Sequence, residues 1–548
     1  MKCINFIFGV ATLMFFNLFL HGLSAAPIEK QTLKHTVAGQ EFIWTFSCNK
    51  SNCLVGKFIG GDYWVAPDHY NDSVTIHSVS PEGETHGLEI NPKLNTKQGF
   101  LSCQKESYEA NKNLMLSLPM NVKPNSSLVK AYEIKKCGTK STKGCCVGAY
   151  DVLTVLEESP ADMGMTALRP AFASEVKRIY YLSDFDLNLI PKKFTLPSKV
   201  RKQSYSDVKN HWYPAYVDHF MSELGDRGRA FAPHLVIHDY GATQASQYLE
   251  GLLAIMSNDS IEKKKPGVIG LLQRGLDLHA SWESGIKWRP GAGQQMGRKP
   301  PIAFFAALVK DNDIKKSVMQ MAKFHTTDTQ EDGQVRLVLK ENGGGGVPIW
   351  GDSGGKQCSE DRYWSQLKGA RNYDGAIGGP NAKGDNKRTC GDPYGWIDGP
   401  AGEPGTFYMA CCSTGGFIAY SLAMNFMPEL CRVNNNPILN EYVWRVLTKG
   451  LHTQPDMCAP PDPRELRTCR PYKKNKGCKY YGKTWGPDNL NNGSCIANGV
   501  NGTAQSGRFP QFHGNQIIRI YNEPNISKHL RMKYGSKIFK SCKKRLVN

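Results

Sequence analysis

The sequence predicts an α+β protein in which a β-sandwich-like module comes first and a helical part follows, and three observations carry that reading. Short apolar and aromatic runs broken by Gly, Pro, Asn and Asp fill residues 30 to 150, apolar residues recur at three and four between about 205 and 330, and cysteine is confined to the two ends of the chain. Alternation marks strands, and the 3.6-residue period marks helices. A chain of 548 residues has room for two or more domains, or for one large toroid with an appended module.

The first element is a leader. Lys2 precedes an apolar stretch through Ile4, Phe6, Val10, Leu13, Phe16 and Leu20, which ends on Ser24, Ala25 and Ala26. A short apolar run closed by small residues reads as a signal peptide over 1–25, and it is brief for a bilayer span. A secreted, extracellular protein with no membrane anchor is therefore expected.

Cysteine fits that compartment. Of 17 cysteines Cys3 leaves with the leader, six lie between Cys48 and Cys146, and ten lie between Cys358 and Cys542. Both groups are even, so each end could be closed by its own disulfides. The vicinal pairs Cys145-Cys146 and Cys411-Cys412 lack the spacing that lets two thiolates meet one zinc ion. Seven Asn-x-Ser/Thr sequons, at Asn49, Asn71, Asn125, Asn258, Asn492, Asn501 and Asn525, point to a glycoprotein.

Residues 26–150 form the predicted β-rich, cysteine-containing domain, with strand signals at Glu41–Phe46, Tyr63–Val65 and Val74–Ile76. After Pro160 the pattern changes. Leu249, Leu252, Leu253 and Met256, then Val268, Leu271, Leu272 and Leu276, then Phe304, Phe305 and Leu308 mark amphipathic helices. Pro266 and Pro300-Pro301 are placed at helix starts, and short turns suggest antiparallel helix pairs. Two more helices are expected at about 406–428 and 437–450, and a basic, Cys-rich wrap over 456–548.

The formal charge is +19, or +18 without the leader, whose one charged residue is Lys2. Such a field attracts polyanions. For a secreted chain the expected partner is an acidic polysaccharide and not nucleic acid. The sequence does not settle the oligomeric state.

Four motifs bear on chemistry. Gly351-Asp352-Ser353-Gly354-Gly355 matches the nucleophile loop of trypsin-like proteases, but the Ala-Ala-His-Cys context of that family's histidine is missing, so the segment reads as a turn. Trp288 to Pro301 places Gln294, Arg298 and Lys299 in a glycine-rich turn at a helix start, a pattern suited to an anion, without the spacing and terminal Ser/Thr of a Walker phosphate loop. In Lys387 to Gly399, Arg388 and Tyr394 flank Cys390, and a cation near a phenol favours its ionised form. His325, and His238 with Tyr240, are further candidates. No metal and no cofactor are expected.

Gly60-Gly61-Asp62-Tyr63-Trp64-Val65, Val152 to Leu156, Gly297-Arg298-Lys299, Glu331-Asp332-Gly333-Gln334, Asp392 to Gly399, Tyr481 to Asp488 and Gly507 to Pro510 follow one another along the chain. Taken together this order resembles secreted helical-toroid polysaccharide lyases, particularly the glucuronan and alginate lyases of family 38. The resemblance implies an (α/α) toroid over 151–455 whose groove cleaves a uronic-acid polysaccharide by β-elimination. It implies Tyr394 as the acid and also the base, Arg388 and His325 as its catalytic helpers, and Gln294 and Arg298 facing the carboxylate. Lys299, Trp288, His238 and Tyr240 are the further candidates for binding substrate, on the residues alone. Ala292-Gly293-Gln294 stands where that family would have Gly-Gly-His, and a glutamine cannot exchange a proton. The alternative expectation is a non-catalytic glycan-binding or extracellular matrix glycoprotein, including a biomineral matrix.

Overall fold

The structure is a computed structural model. It describes residues 29–69, 72–93, 96–102, 108–134, 147–171, 177–192, 203–214, 241–286, 296–321 and 415–436, with short pieces at 335–338, 347–350, 439–440, 442–443, 487–489 and 495–497. The predicted leader lies outside them, as does most of the expected wrap. Both sheets and helices are present, so the chain is α+β.

Nine strands build the first unit: β1 Gln31–Val37, β2 Gln40–Cys48, β3 Cys53–Lys57, β4 Tyr63–Pro67, β5 Val74–Ser80, β6 Leu88–Ile90, β7 Met120–Val122, β8 Ser126–Glu133 and β9 Val147–Val155. They form a four-stranded sheet in the order β1-β2-β5-β7 and a five-stranded sheet in the order β3-β4-β9-β8-β6. The pair β4–β9 is parallel, and the other pairs in these sheets are antiparallel. The turn between β1 and β2 is made by Ala38 and Gly39, both at positive φ (51° and 82°), the backbone that a two-residue hairpin of right-handed twist demands.

Between the sheets lie Leu33, Trp44, Phe46, Val65, Leu128, Leu153 and Val155, all buried. Alternation puts Trp64, Ala66, Ser127 and Thr154 on the opposite face of the five-stranded sheet, toward the rest of the chain. Cys48 and Cys53 join β2 to β3 through a disulfide with Cα atoms 5.3 Å apart. β9 runs on to Val155, so the expected domain edge at 150 falls inside a strand. A small hairpin of β10 Ala167–Leu168 and β11 Tyr180–Tyr181 leads toward the helices.

The helices are α1 Tyr205–Trp212, α2 Gly241–Ile255, α3 Ile261–Glu283, α4 Lys299–Leu308, α5 Asn312–Met321, α6 Gly415–Phe426 and α7 Pro428–Asn434. Their periodic apolar residues, from Leu249 to Leu308, meet in one buried core with Phe417, Tyr420 and Leu430. Helix α3 is the spine, buried almost without a break from Lys264 to Ser281. It begins five residues before Pro266, because Ser260 accepts the Lys263 N–H and fixes the N-terminus. Proline therefore sits one turn inside the helix instead of opening it. The helix expected over 406–428 ends at Phe426, and Pro428 opens α7.

Two short hairpins are also described, β12 Val335–Val338 with β13 Val347–Trp350 and β14 Pro487–Asn489 with β15 Cys495–Ala497. Among the described residues no helix is long and apolar enough to cross a membrane.

Candidate functional site

Among the described residues, buried charge gathers where the sandwich meets the helices. Gly60 and Gly61 deliver Asp62 to this junction: a Cβ on Gly60 would fall 1.5 Å from the Tyr213 ring, and Gly61 has φ +112°. Asp62 forms an ion pair with Arg169 and accepts the Tyr213 hydroxyl hydrogen. Arg169 is buried over the Phe58 ring, 4.4 Å from its centroid, and donates from Nε to Thr154 Oγ1 at 3.0 Å.

From the helical side, α3 contributes Gln273, Arg274 and Asp277, within one turn of each other and all buried. Asp277 Oδ1 accepts the Ala171 N–H at 2.8 Å and Gln273 Nε2 at 2.9 Å, while Gln273 Nε2 also donates to the Arg169 carbonyl at 2.8 Å. Ser127 Oγ on β8 donates to the Ala171 carbonyl at 2.5 Å. The segment 169–171 is thus held from both sides by side chains of the two units.

Electrostatics set what this cluster can do. Burial raises the Asp277 carboxyl to about 6 although the Ala171 N–H, Arg169, Arg274 and Gln273 all favour its anion. The Tyr213 phenol is pushed well above its ordinary value, first by burial and then by Asp62. Tyr248, which donates to the Leu271 carbonyl at 3.1 Å, is raised by burial as well. These phenols are hydrogen-bond donors at neutral pH and not bases. His279, buried in α3 beside Phe305, is depressed to about 4 mainly by burial and is neutral.

The sequence points elsewhere. Tyr394, Arg388, His325, Gln294, Trp288, His238 and Tyr240 all lie outside the described residues. Arg298 and Lys299 are described, and both are fully buried at the start of α4. Arg298 donates from Nη1 to the Met296 carbonyl at 3.1 Å and to Gln244 Oε1 at 3.3 Å, so its guanidinium is turned toward α2. Gly297 (φ +78°) lets the turn approach α2, since a Cβ there would come within 2.9 Å of Ala245 backbone. Pro300 and Pro301 have no N–H, which removes two of the four amides that an α4 N-terminus would offer an anion.

Sequence reasoning missed Arg169, Tyr213 and Asp277. A signal existed for Asp277, which with Gln273 and Arg274 interrupts an apolar helix. Arg169 and Tyr213 carry no local signal, because their partner Asp62 is distant along the chain. Among the described residues no group of three or more His, Cys, Asp and Glu is arranged to hold a metal ion. Compared with known protein families, curated proteins and solved structures, the chain has no match in any of the three.

Proposed function

We propose that the protein is a secreted glycoprotein that binds an acidic polysaccharide. The observation that supports this most is the formal charge, +18 without the leader; the described interior buries the cations Lys130, Arg169, Lys177, Lys264, Arg274, Arg298 and Lys299 and the anions Asp72, Glu89, Asp151 and Asp277. The other lysines and arginines whose burial is described are at least partly open to solvent, where they attract polyanions in a salt-dependent way.

A second reading adds cleavage. In it the helical part closes into an (α/α) toroid and Tyr394, assisted by Arg388 and His325, performs β-elimination on a uronic acid, with Gln294 and Arg298 at the carboxylate and Lys299, Trp288, His238 and Tyr240 along the groove. The sequence positions of Arg388 and Tyr394 on either side of Cys390 favour it, since a cation brought near a phenol lowers the cost of ionising it. Incubation with alginate, glucuronan and glycosaminoglycans, following the ultraviolet absorbance of the unsaturated product, decides between the two. Absorbance that grows and is abolished by Tyr394→Phe supports the lyase. Retention on the polymers that weakens with salt, without absorbance, supports a binding or matrix protein. A chain that shows neither absorbance nor retention overturns both readings.

A further inference from the structure

The inner faces of the sandwich are apolar over most of their length and polar at one end. On β1 Leu33 points inward and His35 follows on the same face; the same alternation couples Val55 to Lys57 on β3, Val65 to Tyr63 on β4, Leu128 to Lys130 on β8 and Leu153 to Asp151 on β9. Register keeps these positions together, with Lys57 opposite Tyr63 and Lys130 opposite Asp151. Five strands drawn from both sheets thus turn polar at one end of the core.

The side chains there are arranged around an imidazole. His35 Nδ1 is 2.6 Å from Asp151 Oδ1, and Asp151 Oδ2 accepts the Trp44 Nε1 hydrogen at 2.6 Å. The Asp151 side chain is 3% exposed and that of His35 18%, so the carboxylate is closed in while the ring reaches the surface. The Tyr63 ring stands edge-on to His35 at 5.1 Å, and Lys57 Nζ lies 4.6 Å from the Tyr63 centroid. Inward charges can protect sheet edges from pairing with other chains. That does not account for Asp151, which sits on the inner strand β9, where burying charge is unfavourable. Pinning the two sheets would need only the Trp44–Asp151 bond.

We propose that this end of the sandwich is a subsite for the oxyanion of an acidic sugar, with His35 and Lys57 as its cationic contacts and Tyr63 as the ring against which both are held. Asp151 is a positioning residue: it holds Nδ1 and leaves Nε2 to face the ligand. The inference rests on the reading of the protein as a binder of acidic polysaccharide. A uronate carboxylate and a sulfate ester share the required chemistry. Burial opposes the imidazolium, but the Asp151 hydrogen bond and the charges of Asp151 and Asp62 outweigh it, with Lys57 opposing, and the His35 pKa is raised. The site is therefore most cationic in acid, and affinity falls as pH rises through the His35 titration.

The test uses the full chain, titrated calorimetrically at about pH 6 and about pH 8 with a short oligoglucuronate, a sulfated neutral oligosaccharide and its unsulfated parent. The imidazole resonance of His35 is followed in ring-labelled protein. Expected are binding of at least one acidic sugar but not of the unsulfated parent, weaker binding at the higher pH, a ligand-induced shift of His35, and an affinity loss of about tenfold in both Lys57→Met and His35→Gln. Lys57 is exposed, so its replacement leaves the fold intact. If acidic sugars bind while the His35 resonance stays still or Lys57→Met binds as the parent does, the subsite is overturned and polysaccharide binding stands. If no acidic sugar binds, both fall.

Discussion

At the scale of single residues, Asp277 gives the sharpest expectation. Its carboxyl titrates near 6 in the folded chain against an ordinary 3.8, because burial penalises the anion more than its neighbours relieve it. Between those values the folded state holds a proton that the unfolded state has lost, so this group's contribution to stability falls as pH rises from about 4 to about 6. Asp277→Asn keeps an oxygen to accept from Ala171 and Gln273 while removing the titration. The difference in unfolding free energy, wild type minus variant, should decline by on the order of 2–3 kcal/mol across that window, as measured by urea unfolding at several pH values. A flat difference would show that the carboxylate is better solvated than its burial implies. Such a residue is partly legible in sequence, since Gln273-Arg274 and Asp277 stand out among Leu271, Leu272, Leu276 and Leu278. Arg298 teaches the reverse. A cation in a glycine-rich turn reads as a surface group, and only the approach of α2, which Gly297 permits, shows that it is interior.

At the scale of elements, what was legible depended on whether the signal is local. Strand β2 contains the alternating segment Glu41–Phe46, and α2, α3 and α4 contain the apolar periodicities, because both patterns are set by which face each residue presents to a core. Boundaries are harder to read, since they depend on competition between neighbouring signals. Pro266 suggests a start for α3, yet a proline this early in a helix forfeits a single backbone hydrogen bond. The cap at Ser260 outcompetes it and lets the helix begin at Ile261. On the added turn Lys265 stays at the surface, its Nζ 4.0 Å from Glu262, and the buried Lys264 donates from Nζ to the Pro191 carbonyl at 3.2 Å. Ser260→Ala should therefore lower stability by about 1 kcal/mol, read as a shift of the urea midpoint with unchanged slope. No shift would mean that the packing of the buried stretch from Lys264 onward fixes the helix start without help from the cap.

At the scale of the molecule, the two units are joined through polar groups as well as through apolar contact. The junction brings Asp62 of the sandwich to Arg169 and Tyr213, and brings Ala171 to Asp277 of α3. The α+β class could be read from composition and period, but this joint could not, because ion pairs between distant segments leave no pattern in either one. Its physical consequence is cooperative unfolding: the sandwich cannot part from the helices without breaking the Tyr213–Asp62 and Ala171–Asp277 hydrogen bonds and opening the Asp62–Arg169 pair beside them to water. Arg169→Met removes the guanidinium and leaves Asp62 without its ion-pair partner, which should destabilise the chain by about 3–5 kcal/mol. Adding Asp62→Asn removes the stranded charge, so the double variant should be more stable than Arg169→Met alone. By calorimetry the wild-type sandwich and helices should melt together, whereas Arg169→Met should let the sandwich, closed by its own Cys48–Cys53 disulfide and core, melt separately. Separate melting already in the wild type would mean that the joint transmits no stability, and that the charge buried in it is held there for some other purpose.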